Sequence, residues 1–84
     1  MHLLKTRRKP IIYKVIRERL YHKDIGKYVS YGIVAIEEAT GKEILRVSDV
    51  STSRRFVLDL ARLYTEEELA PTHLFDAVYD KLSE

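Results

Sequence analysis

The spacing of apolar residues changes near Ser51. Before it, residues 11–22, 28–38 and 43–50 are rich in Ile, Val, Leu and Tyr, with apolar residues on alternating positions. That period predicts three β-strands. The first segment also fits a helical stripe, but its β-branched residues and the strand that follows favour a strand. After Ser51, apolar residues recur every three or four positions, which predicts helices over residues 53–64 and 72–83.

The loops between the predicted strands are short. Residues 23–27 and 39–42 each contain a glycine and predict tight turns, so the strands form an antiparallel meander. Gly32 in the second strand indicates a bulge or a close backbone approach. Residues 65–68 match a capping box and predict a short helical turn before Pro71. The predicted fold is α+β: a three-stranded antiparallel β-meander followed by two or three short helices packed on one face.

The composition is that of one small globular domain. The chain has 84 residues, of which 45% are hydrophobic and 33% charged. We expect a basic flexible arm over residues 1–10 and a single α+β domain over residues 11–84. The absence of cysteine excludes disulfides and thiolate metal sites and fits a reducing compartment. No segment has the length of a signal peptide or a membrane span, so we expect a cytoplasmic protein without membrane contact.

Charge is distributed unevenly along the chain. Residues 1–27 carry nine Lys/Arg and two Asp/Glu, a net charge of +7, and residues 28–64 carry five of each. Residues 65–84 carry one Lys and six Asp/Glu, a net charge of −5. Such a gradient fits a basic arm for an acidic partner, or complementarity between two copies or between the two ends of one chain.

Three stretches carry a resemblance to a known family. They run from Ile16 to Ile33 (IRERLYHKDIGKYVSYGI), from Ser48 to Thr52 (SDVST) and from Leu69 to Asp76 (LAPTHLFD). The chain resembles a family of short uncharacterised Firmicute proteins, a domain of unknown function, over residues of about 12–83 and without the basic tail. The resemblance implies a bacterial cytoplasmic protein and brings no activity or site.

No catalytic, cofactor-binding or metal-binding motif stands out. The three histidines are far apart, and His73 with Asp76 three residues later is better explained as a local contact than as a catalytic pair. Asp76 and Asp80, one helical turn apart, are best explained as a solvated surface. An enzyme is therefore the less favoured class, and we expect no cofactor and no metal.

Clustered basic residues are the candidates for binding an anion. Two of them, Arg54 and Arg55, fall in the first turn of a predicted helix. The helix dipole disfavours cations there, but it favours the binding of a phosphate. The candidate contacts to an anion or nucleic acid are Arg7, Arg8, Lys9, Arg54 and Arg55.

The second strand is apolar on both sides, so both faces of the sheet are predicted to need cover. Two helices can cover one face, and a second copy would cover the other face or an edge. The alternative is that the N-terminal tail or the two helices cover both faces of the same chain. The predicted dimer surface comprises Tyr13, Val15, Tyr28 and Tyr31. The leading interpretation is a non-enzymatic, self-associating interaction or regulatory module, a homodimer with an unknown protein partner. The alternative is a nucleic-acid-binding accessory protein that uses the basic arm with Arg54 and Arg55.

Overall fold

The computed structural model describes residues 10–84, and the predicted basic arm lies almost wholly outside them. Three antiparallel strands form one sheet in the order β1-β2-β3, and two helices follow, which confirms the predicted α+β fold. The elements are β1 (Ile11–His22), β2 (Gly26–Glu37), β3 (Glu43–Ser51), α1 (Arg54–Glu66), a 3₁₀ turn (Pro71–His73) and α2 (Leu74–Leu82).

Two glycines close the hairpins. Gly26 ends the β1–β2 turn with φ of +81°, and Gly41 sits in the β2–β3 turn with φ of +74°. Both angles lie in the left-handed region, where a side chain would be strained. These turns therefore set the register that pairs Tyr13 with Ala35 and Ala35 with Leu45.

The core lies between one face of the sheet and the two helices. Ile33 and Ala35 on β2 are fully buried there, with Val57 of α1 and Leu74 of α2. Because side chains alternate along a strand, the residues between them point to the opposite face. Among residues 10–84, no helix packs on that opposite face, and we call it the open face.

Helix α1 begins where the sequence predicts and ends later. The Ser53 hydroxyl accepts a hydrogen bond from the Phe56 amide at 3.3 Å and so caps the helix. The helix continues to Glu66, so the prediction that Thr65 starts a new helical turn was wrong. The Thr65 hydroxyl instead donates to the Ala61 carbonyl at 2.9 Å and accepts the Tyr13 amide of β1 at 2.9 Å.

The last predicted helix is divided into two parts. Pro71 opens a 3₁₀ turn, and α2 itself begins at Leu74, two residues after the predicted start. Neither helix in the described part of the chain has the length and apolar character needed to cross a membrane.

Candidate functional site

A polar network lies on the open face where β3 is irregular. The β2–β3 register shifts between Tyr31 and Ile33, and Asp49 adopts a φ of +55°. Its carboxylate accepts hydrogen bonds from the Ser30 hydroxyl at 2.6 Å and the Tyr28 hydroxyl at 2.8 Å. Residues other than glycine rarely adopt such a φ, so the side-chain bonds of Asp49 help to hold the bulge.

Glu18 extends this network across the sheet. It reaches from β1 over β2 and accepts the Ser48 hydroxyl and the Asp49 amide, each at 2.8 Å. This crossing requires Gly32, because a Cβ there would lie 3.2 Å from the Glu18 carboxylate and 2.4 Å from the Val47 carbonyl oxygen. The close approach predicted at Gly32 is therefore confirmed.

Hydrogen bonding shifts two pKa values in the network. The hydroxyls of Ser30 and then Tyr28 lower the pKa of Asp49, because both stabilise the ionised carboxylate. The same carboxylate raises the pKa of Tyr28. Both Asp49 and Glu18 thus serve as acceptors that tie the three strands together. Residues 10–84 contain no group of three or more His, Cys, Asp or Glu side chains that could hold a metal ion.

Much of the remaining open face is apolar, although it also carries Lys14 and the Glu43–Arg46 ion pair. Alternation along the paired strands places a patch of aliphatic side chains beside the polar network, mostly half-buried. Its members are Ile12, Ile16, Leu20, Val34 and Ile36.

The predicted dimer residues fall on both faces of the sheet. Tyr13 is 5% exposed, and its hydroxyl donates to the Leu69 carbonyl at the end of the loop that leads from α1. Val15 and Tyr31 pack on the same helix-covered face. Only Tyr28 lies on the open face, where it bonds Asp49. The aliphatic patch of the open face is carried by the residues at the alternate positions, not by the four residues predicted to form the dimer surface.

The predicted anion-binding residues are only partly described. Arg7, Arg8 and Lys9 lie outside the described residues, while Arg54 and Arg55 are exposed at the start of α1. Arg55 makes an ion pair with Asp59 at 3.4 Å. Ser51, just before α1, lies opposite Tyr31 of β2, and Tyr31 pairs with Arg17 of β1. Arg17 is six residues along the strand from Ile11, so α1 begins about 20 Å from the point where β1 starts.

A further feature was not predicted from the sequence. Phe75, Tyr79 and Leu82 of α2 are 49%, 69% and 48% exposed and line a groove of about 240 Å³ against residues 47–50 of β3. Leu74 and Val78 are the buried residues of α2, and these three side chains lie outside the face that they form. His73 and Asp76 are both exposed at the start of this helix.

Comparison with known proteins gives a family and no activity. No curated protein and no solved structure matches the chain. A family model described as a family of unknown function (DUF6514) matches residues 3–84. The match includes most of the basic segment that the resemblance had left out. The chain therefore belongs to the DUF6514 family of unknown function.

Proposed function

We propose that this protein is a non-enzymatic interaction module that pairs with a second copy of itself through the open face. The observation that carries the proposal is the aliphatic patch on that face, for which residues 10–84 provide no covering layer. Exposed apolar patches of this kind favour association. The lack of cysteine fits a reducing compartment, and the proposal includes a bacterial cytoplasmic setting and a regulatory role through the same contact.

The charges of the open face favour a like partner. Glu43 pairs with Arg46 on β3 through two hydrogen bonds of 2.7 and 2.9 Å, and Glu18 is held by Ser48 and the Asp49 amide. Cations and anions are therefore mixed on this face. A mixed, apolar surface is self-complementary when two copies meet about a twofold axis.

The size of the face sets the expected affinity. Three strands about 4.8 Å apart and about eight residues long present roughly 14 by 26 Å. That is roughly 360 Å² per chain and about 730 Å² for the pair, below the roughly 1,200 Å² of standard specific interfaces, so we expect a weak dimer that forms at about tens to hundreds of micromolar.

Light scattering coupled to size exclusion tests the proposal over a concentration series. The wild-type chain should change from monomer to dimer between about 1 and 500 μM. Ile16→Lys should hold the chain as a monomer, because it places a charge in the apolar patch. The matched control is Ile25→Lys in the β1–β2 turn, where the side chain is already 68% exposed, and it should dimerise normally.

Far-UV circular dichroism establishes that each variant is folded. A wild-type chain that remains monomeric at the highest concentration would refute the proposal, whatever the variants do. A dimer that tolerates both Ile16→Lys and Ile12→Lys would place the interface elsewhere and refute the assignment to the open face.

A further inference from the structure

The β1–β2 hairpin extends past the end of β3. The last β2–β3 pair joins Tyr31 to Ser51, whereas β1 and β2 remain paired through residues 18–22 and 26–30. This part of the hairpin is a ribbon with two paired strands that projects by about 17 Å.

One face of this ribbon is basic. Arg17, Arg19 and Tyr21 alternate along β1 on the side of the sheet that carries the helices, and Lys27 is the cross-strand partner of Tyr21. All four are on that face by strand alternation, and Tyr21 is 71% exposed. The same face of the ribbon carries no carboxylate between residues 15 and 33.

Helix α1 begins beside this face. Arg54 follows Ser51 by three residues, and Ser51 lies level with Arg17 through Tyr31. The first turn of α1 therefore adds Arg54 and Arg55 to the ribbon cations, both exposed. We call this set the basic corner; it comprises Arg17, Arg19, Tyr21, Lys27, Arg54 and Arg55.

The basic corner is unfavourable for the isolated chain. Cations at a helix N-terminus oppose the helix dipole, and neighbouring like charges repel. Of the two arginines there, Arg55 has an exposed ion pair with Asp59, which contributes little. A polyanion would relieve both costs, since its phosphates suit arginine side chains and the helix N-terminus together.

We propose that the basic corner binds double-stranded DNA, with the ribbon in the major groove and α1 at the phosphate backbone. A two-stranded β-ribbon fits the major groove of B-form DNA, about 12 Å wide, whereas that of A-form RNA is too narrow for side chains to read. This site is distinct from the open face, because its side chains lie on the opposite side of the sheet.

Fluorescence anisotropy with a labelled duplex of about 20 base pairs tests the proposal at several salt concentrations. The wild-type chain should bind at low salt. The double variant Arg54→Gln/Arg55→Gln should bind about tenfold or more weakly, and its slope of log K against log salt should fall by about 2, because α1 contacts the phosphates and each lost phosphate contact contributes about 0.9. The charge-matched control Lys42→Gln/Arg62→Gln lies away from the corner and should change the slope by less than 1.

Three outcomes would overturn the proposal. The first is an equal loss of affinity in the corner and control variants, which would indicate unspecific attraction. The second is binding that survives in the corner variant and disappears when residues 1–9 are removed. The third is tighter binding of the wild-type chain to duplex RNA or to phosphatidylserine vesicles than to the DNA at equal salt.

Discussion

At the scale of single residues, Gly32 and Asp49 shape the open face. Gly32 allows Glu18 to cross β2, and Asp49 turns the backbone of β3 so that its amide meets that carboxylate. The role of Gly32 could be predicted from the sequence, because a glycine inside a strand usually marks a bulge or a close backbone approach. The role of Asp49 could not be predicted, because its φ depends on hydrogen bonds from the hydroxyls of Ser30 and Tyr28, which lie 19 and 21 positions earlier in the chain.

Gly32→Ala should destabilise the fold by about 1–3 kcal/mol, the cost of forcing extra volume into a packed site. The new Cβ would meet the Val47 carbonyl oxygen at 2.4 Å, and a backbone atom cannot move aside alone. Gly41→Ala is the matched control: it has open space around it and strains only φ, at roughly 1–2 kcal/mol. Urea unfolding of both variants measures the difference. Equal stability of Gly32→Ala and wild type would contradict the close approach.

Asp49 should make the fold sensitive to acid. Its pKa is lowered in the folded chain, so its stabilising contribution is present above the ordinary Asp pKa of about 3.9 and is lost as the pH falls through the lower folded value. The difference in the free energy of unfolding between wild type and Asp49→Asn should therefore be smaller at pH 2.5 than at pH 6. Urea midpoints at the two pH values measure this gap, and a gap that stays constant would show that the carboxylate charge is unimportant.

At the scale of elements, local turn chemistry made the strands predictable. Both hairpin glycines have positive φ, and β1 has the predicted bounds. The end of α1 was not predictable, because the capping-box pattern at Thr65 competes with a tertiary contact: its hydroxyl accepts the Tyr13 amide. The orientation of α2 was also hidden, since Phe75 and Tyr79 are as apolar as the residues that α2 buries.

Two tyrosines at the β1–α1 contact should respond in opposite ways to loss of the hydroxyl. The rings of Tyr13 and Tyr64 meet edge to face at 5.9 Å. The Tyr13 hydroxyl bonds the Leu69 carbonyl, whereas the buried Tyr64 hydroxyl has no hydrogen-bond partner among the described residues. Tyr13→Phe should cost about 1 kcal/mol, and Tyr64→Phe should be neutral or stabilising by up to about 1 kcal/mol. Thermal and urea unfolding distinguish them, and a larger loss in Tyr64→Phe would contradict the assignment.

At the scale of the whole molecule, the fold class followed from the change in hydrophobic period, and the sites did not. The hydrophobic period shows which residues share a face of each strand, but it does not show which face the helices cover. The predicted dimer residues therefore lie partly on the helix-covered face and partly on the open face. The ribbon cations Arg17, Arg19 and Lys27 were missed as a group, because only strand register brings them to one side with Arg54. In an 84-residue chain most side chains are near the surface, so burial alone marks few of them as special.

The placement of both helices on one side of the sheet has a consequence for an assembly of two chains. If two open faces join, the result is a four-layered particle, helix–sheet–sheet–helix, with its basic corners pointing outward on opposite sides. Each corner would be free to engage its own duplex. Such a particle would bridge two separate DNA segments. The bridging would be lost at protein concentrations too low for two chains to associate.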